Sequence, residues 1–259
     1  MIARLEVAAV QTASQADQDP FAEERHSMKA ETVVVLLGDS IIDNGAYVRS
    51  GEPDVAQQLE MLLPHHAVVK RAVDGSTCAD VLGRQVGDLD DADRIILSAG
   101  GNDALQHIDL LEAATETTAK DVLVRFWSIR EEFRRSYAAL LDRLALARRP
   151  VLVLTVYNPC FHGHGFDAAY QQAAESAVSI INDVIQQEGR RRSFDVLELR
   201  TLFHDLADYA NPIEPSAIGG AKLAKCMSDW VGTAEGTRPF GHPRLNTRSR
   251  SAGPRPGSG

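Results

Sequence analysis

The chain has 259 residues, 44% hydrophobic and 24% charged, which suits one globular domain of about 200 residues with tails. Its formal net charge is −9, yet residues 236–259 carry five arginines and no acid, so the remainder stands at −14. Such an acidic body attracts neither nucleic acid nor anionic lipid, and no run approaches the roughly 18 apolar residues of a membrane span.

Residues 1–30 read as a polar N-terminal extension. MIARLEVAAVQTASQADQDP has only a short apolar run broken by Glu6, so it is not a signal peptide. Met28 is then a candidate translation start. Cys78, Cys160 and Cys226 show no CxxC or zinc spacing, which reads as reduced thiols of a cytoplasmic protein. Residues 31–233 form the folded domain, and 234–259 a disordered basic tail rich in Pro, Gly and Arg.

Within the domain, apolar runs rich in β-branched residues alternate with helical patterns. The strands fall at Val33–Leu37, Ala67–Val73, Arg94–Ser98, Val151–Val156 and Phe194–Leu199. Between them, helices are expected at Pro53–Leu63, with proline in its first turn, at Thr77–Val86 and at Lys120–Arg148. Phe126, Ile129, Phe133, Tyr137, Leu140 and Leu144 form one apolar stripe on the third of these. A further helix covers Asp167–Glu188 with Gly189 to stop it, and the last runs from Pro215 to Trp230. The methionines and tryptophans read as core. Strand and helix alternating five times predict a parallel sheet covered on both faces, with ligands bound beyond the strands' carboxyl ends.

Three loops at such ends carry chemistry. Gly38-Asp39-Ser40 presents a serine after a turn glycine, beside backbone N–H groups of a following helix; alone, an N-cap serine explains it as well. Gly75, in VDGST, allows a backbone N–H to approach a substrate oxygen. Asn102, in GGND, offers an amide to a developing oxyanion, although an Asx-turn role is equally ordinary. Asp39, Asp43 and Asn44 are expected to orient the first loop through side-chain to backbone hydrogen bonds.

In this order the motifs resemble the SGNH family, also called GDSL-type hydrolases, over about residues 32–231. Gly38-Asp39-Ser40, Gly75 and Gly100-Gly101-Asn102-Asp103 match its first three blocks. The resemblance implies a three-layer, flavodoxin-like α/β/α sandwich on a five-stranded parallel sheet. It implies esterase- or lipase-like hydrolysis of a small ester or acyl substrate through an acyl-Ser40 intermediate. Ser40 N–H, Gly75 N–H and the Asn102 amide would form the oxyanion hole, and no cofactor is needed. GDSIIDN and NPIEPS look like a bacterial branch.

The family's D-x-x-H block is altered. Aligning Pro215 and the helix after it puts Asn211 at the aspartate and Glu214 at the histidine. A glutamate raised by burial would accept the Ser40 proton, with Asn211 holding it in place. His204, His162 and His164 are the alternative bases, each also readable as a solvated loop residue. His162 and His164 lack a nearby acid or cysteine to complete a metal set. Two other readings stay open: a catalytically impaired domain that binds a ligand in the same cleft, and acyl transfer to a hydroxyl other than water. A phosphate or nucleotide binder ranks last, for want of a P-loop or GxGxxG.

Overall fold

In the computed structural model, which describes residues 32–112, 118–162 and 164–233, the five apolar runs become parallel strands. The expected N-terminal extension, its candidate start at Met28, and the basic tail lie outside the described residues. Chain order gives β1 (Thr32–Leu37), α1 (Val55–Leu62), β2 (His66–Lys70), α2 (Cys78–Asp80) and β3 (Arg94–Ser98). Then follow α3 (Gly101–Leu105), α4 (Ala119–Ala145), β4 (Val151–Leu154), α5 (Ala168–Arg191), β5 (Asp195–Leu197) and α6 (Ala217–Val231). The sheet order is β2-β1-β3-β4-β5, so the chain reverses direction across the sheet at β1, where ligand crevices form in open α/β sheets.

Alternation along each strand separates two cores. Val34, Leu36, Ile96 and Leu152 face α1 and α6, with Trp230 and Met227 fully enclosed among them. Val35, Leu37, Ile95 and Val153 face α4 and α5, where Phe133, Tyr137, Leu140 and Leu144 supply the expected stripe. This is the three-layer sandwich on a five-stranded parallel sheet. Among the described residues, no helix is long and apolar enough to cross a membrane.

Several local expectations are corrected. Proline does not start either helix: Asp54 caps α1 and Ser216 caps α6, their side chains accepting N–H groups of the first turn, and Pro53 and Pro215 lie before the caps. The second helix holds α-geometry for one turn after Thr77, then widens into a π-turn at Val81–Gln85. Gly189 does not stop α5 but sits inside it. A Cβ there would come within 3.0 Å of Val153 Cγ2 and 3.2 Å of Val196 Cγ2, so the glycine lets the helix lie against the sheet. Met61 and Trp127 are 63% exposed, because each falls on the outer side of its helix.

Candidate active site

β1 delivers its loop against the end of β3. Gly38 takes φ 136°, and a Cβ there would stand 2.0 Å from the Ser98 carbonyl oxygen, so no other residue fits. Its backbone is clamped on both sides. The Gly38 N–H donates to Gln85 Oε1 at 2.7 Å, and Gln85 Nε2 donates to the Gly38 carbonyl at 2.8 Å and to Ser76 Oγ at 3.0 Å. Asp39 Oδ1 accepts the Ser98 hydroxyl at 2.7 Å and the Ile41 N–H at 3.2 Å. Ile42 and Asp43 N–H close a single turn on the Asp39 carbonyl, and no helix follows until α1. The expected helix N-terminus beside Ser40 is therefore only this turn.

The other loop residues act over longer range. Asp43 accepts the Asp74 N–H and pairs with Lys70, tying the first loop to the second. Asn44, fully buried, accepts the Val55 N–H at 2.9 Å and donates to the Pro215 carbonyl at 3.0 Å. It thus links the β1 loop to the stretch that carries Glu214.

That stretch is a tight turn before α6. Asn211 Oδ1 accepts the N–H groups of Ile213 and Glu214, both at 3.0 Å. Asn211 thus shapes the turn through backbone groups, whereas sequence comparison expects it to hold the Glu214 side chain. The Ala210 N–H donates to the Glu214 carbonyl, and the Tyr157 hydroxyl donates to the Ile213 carbonyl at 2.7 Å. Tyr157 is stacked on Phe203, with Tyr209 edge-on to both rings.

The turn brings the Glu214 carboxyl beside the Ser40 hydroxyl, both lining one cavity. Both residues are buried, 6% and 7% exposed. Burial pushes the Glu214 carboxyl up to about 7; the Ser40 hydrogen bond opposes this, and the charges of Asp74 and Asp39 add to it. Glu214 Oε2 is enclosed and has no hydrogen-bond partner. Asp39 is likewise pushed up to about 7, chiefly by burial, against the Ser98 hydroxyl that favours its charged form.

The remaining candidates divide. Asn102 stands at the start of α3, and its Nδ2 donates one hydrogen to the Ser76 carbonyl at 3.1 Å, leaving the other free. Gly75 adopts φ 78° with open space above it. No acceptor among the described residues takes the N–H of Gly75 or of Ser40. His162, His164 and His204 are all exposed, and none lines the cavity beside Ser40. Among the described residues no three His, Cys, Asp or Glu side chains gather as a metal set.

Other residues at the site had no motif to announce them. His107, one turn beyond Asn102, lines the cavity. Tyr47 donates to Asp74 at 2.8 Å, and this pair lies close enough to Glu214 for its charge to be felt. Gln85 ends the π-turn, and its buried side chain reaches the first loop. Periodicity alone carries no signal for that.

Comparison with known proteins adds a family and a fold. The family model of the GDSL-like lipase/acylhydrolase family matches residues 36–219. No curated protein matches the chain. An extracellular lipase from Streptomyces rimosus is 21% identical, with TM-score 0.56 over 78% of this chain and 100% of its own. The lipase Lip_vut3 from a goat rumen metagenome is 20% identical, with TM-score 0.61 over 79% and 99%. A catalytic mutant of an acetylxylan esterase from Geobacillus stearothermophilus is 16% identical, with TM-score 0.56 over 80% and 98%.

Proposed function

This chain belongs to the GDSL-like lipase/acylhydrolase family, and on that premise we propose that it hydrolyses an ester through an acyl-Ser40 intermediate, with Glu214 as its base. The observation that carries this reading is the buried carboxyl of Glu214 beside the Ser40 hydroxyl, with its proton affinity raised to that of a histidine.

The steps follow from this pair. Ionised Glu214 takes the Ser40 proton as Oγ attacks the ester carbonyl. The carbonyl oxygen becomes an oxyanion in reach of three donors: the Ser40 N–H, the Gly75 N–H and the free hydrogen of the Asn102 amide. Glu214 then returns its proton to the departing alcohol, leaving acyl-Ser40. Water repeats the sequence: Glu214 removes its proton, the hydroxyl oxygen attacks the acyl carbon, and the proton goes back to Ser40 as the acid is released.

Replacing histidine with glutamate also changes what the third residue must do. A histidine base becomes a cation when it accepts a proton, and a buried aspartate stabilises that cation. Glutamate becomes neutral instead. Asn211, uncharged and holding the turn's N–H groups, meets this lighter requirement.

The sign of the pH dependence is set by the base form. Activity rises with pH through about 7 and holds above it, because ionised Glu214 is the active species. A fluorophosphonate probe and a p-nitrophenyl ester assay across pH 5–9 test this. Wild type labels at Ser40 and shows the rising limb; Ser40→Ala loses labelling and roughly a millionfold in turnover. A wild type that neither labels nor turns over any ester refutes the hydrolase reading. Activity that keeps its pH limb in Glu214→Gln refutes Glu214 as the base.

A further inference from the structure

The space beside Ser40 is not symmetrical. On one side the second loop presents exposed Gly75 and the Tyr47–Asp74 pair to solvent. On the other, a cavity of about 120 Å³ runs back between α3, α4 and α5. Its walls there are Leu105 from α3, Phe126 and Ile129 from α4, and Ala177 and Ile181 from α5. Its polar side chains cluster at the Ser40, Asn102 and Glu214 end, apart from His107 just beyond α3.

Such walls reward hydrocarbon and penalise hydroxyls. A cavity of roughly 150 Å³ lined by Leu, Ile and Phe stays dry and admits benzene. By that measure this cavity takes a limb of roughly five or six carbons. An acetyl group would leave most of it unfilled, and a polar sugar would find almost no hydrogen-bonding partner in it. During the reaction the alcohol leaves first and water takes its place, which favours seating the half that stays on Ser40 between the walls.

We propose that this enzyme is selective for esters of short aliphatic acids of roughly five or six carbons, with the acyl chain seated between α3, α4 and α5 and the alcohol directed to the Gly75 side. The assignment of the acyl half rests on the acyl-Ser40 reading; the cavity's preference for a chain of this length does not. The small side chain of Ala177 keeps the cavity open and so sets the length.

The test uses p-nitrophenyl esters from acetate to dodecanoate with the full chain. kcat/KM is expected to rise about fourfold per methylene up to hexanoate, roughly 250-fold over acetate, and to fall again at dodecanoate. In Ala177→Phe, checked for folding by circular dichroism, the hexanoate-to-acetate ratio collapses towards one. A second measurement needs no turnover: Ser40→Ala should bind hexanamide at least tenfold more tightly than acetamide by calorimetry. Equal rates on acetate and hexanoate, or equal binding of the two amides, overturn the proposal and leave the hydrolase reading standing. Binding of hexanamide alone, with no ester turned over, upholds the cavity's preference while the hydrolase reading falls.

Discussion

The two loops that meet at Ser40 and Glu214 are held in different ways. The β1 loop is gripped by groups one strand away: Gln85 on both faces of Gly38, and Ser98 on Asp39. The Glu214 turn is hung from distant parts of the chain, by Tyr157 beyond β4 and by Asn44 in the β1 loop itself. In the first loop one side chain satisfies both backbone groups of Gly38. In the second, a carboxyl oxygen is left enclosed and unpaired. The Ser40 loop is thus built for rigidity, while the Glu214 carboxyl is left with unmet electrostatic demand, its burial lifting its proton affinity. Buried polar groups without partners are costly, so the second loop stores the instability.

That contrast is open to measurement. Gln85→Ala should do the greatest harm, since it strips partners from the Gly38 N–H, the Gly38 carbonyl and Ser76 together. A loss of about 3 kcal/mol in urea unfolding is expected, with a lower kcat. A loss under 1 kcal/mol would remove the claim that this side chain anchors the first loop.

Glu214→Gln should act in the opposite sense on stability. The folded carboxyl holds its proton up to about 7, whereas the unfolded one releases it near 4.5. The folded state therefore binds more protons between these values. Its stability is full below about 4.5 and is lost as pH rises through about 7. Glutamine does not ionise, so the variant should gain about 3 kcal/mol over wild type at pH 8 and little at pH 4.5, read by urea unfolding at both values. Equal gains at both pH values would show that the carboxyl is not raised.

The smallest effect is expected from Tyr157→Phe, which keeps the ring stacked on Phe203 and removes only the hydrogen bond to the Ile213 carbonyl. About 1 kcal/mol of stability should go, with kcat falling several-fold and the rising pH limb displaced as the Glu214 turn loosens. An unmoved pH limb would make Tyr157 a packing residue and nothing more.

The sequence displays these two loops unequally for the same physical reason. Gly38, Ser40 and Asn102 stand at ends of strands whose apolar runs are plain, so their place at the sheet edge can be read from order alone. Glu214 is legible only by alignment of Pro215 and α6, and Tyr157, which holds its turn through the Ile213 carbonyl, has no local pattern at all. Gly189 reads as a helix stop because its neighbours Val153 and Val196 come from other strands and are invisible in a linear window. Trp127 and Met61 read as core from residue type, yet helix phase places them outside. Phe126 and Ile129 continue the stripe of α4 in sequence, but in space they leave the core and line the cavity. His162 and His164 stand beyond β4, on the edge where ligands bind, but the loop is long enough to carry them out to solvent.

Asn44 joins residues 171 positions apart through its bond to the Pro215 carbonyl. A chain emerging from the ribosome completes β1, β2 and β3 long before the final helix has been synthesised. Until the stretch before that helix docks, Asn44 lacks its Pro215 partner and Ser40 stands apart from Glu214. On the proposed reading, reactivity is the last property the nascent polypeptide acquires, and a truncation ending before Asn211 would yield an inert alcohol on an otherwise recognisable sheet.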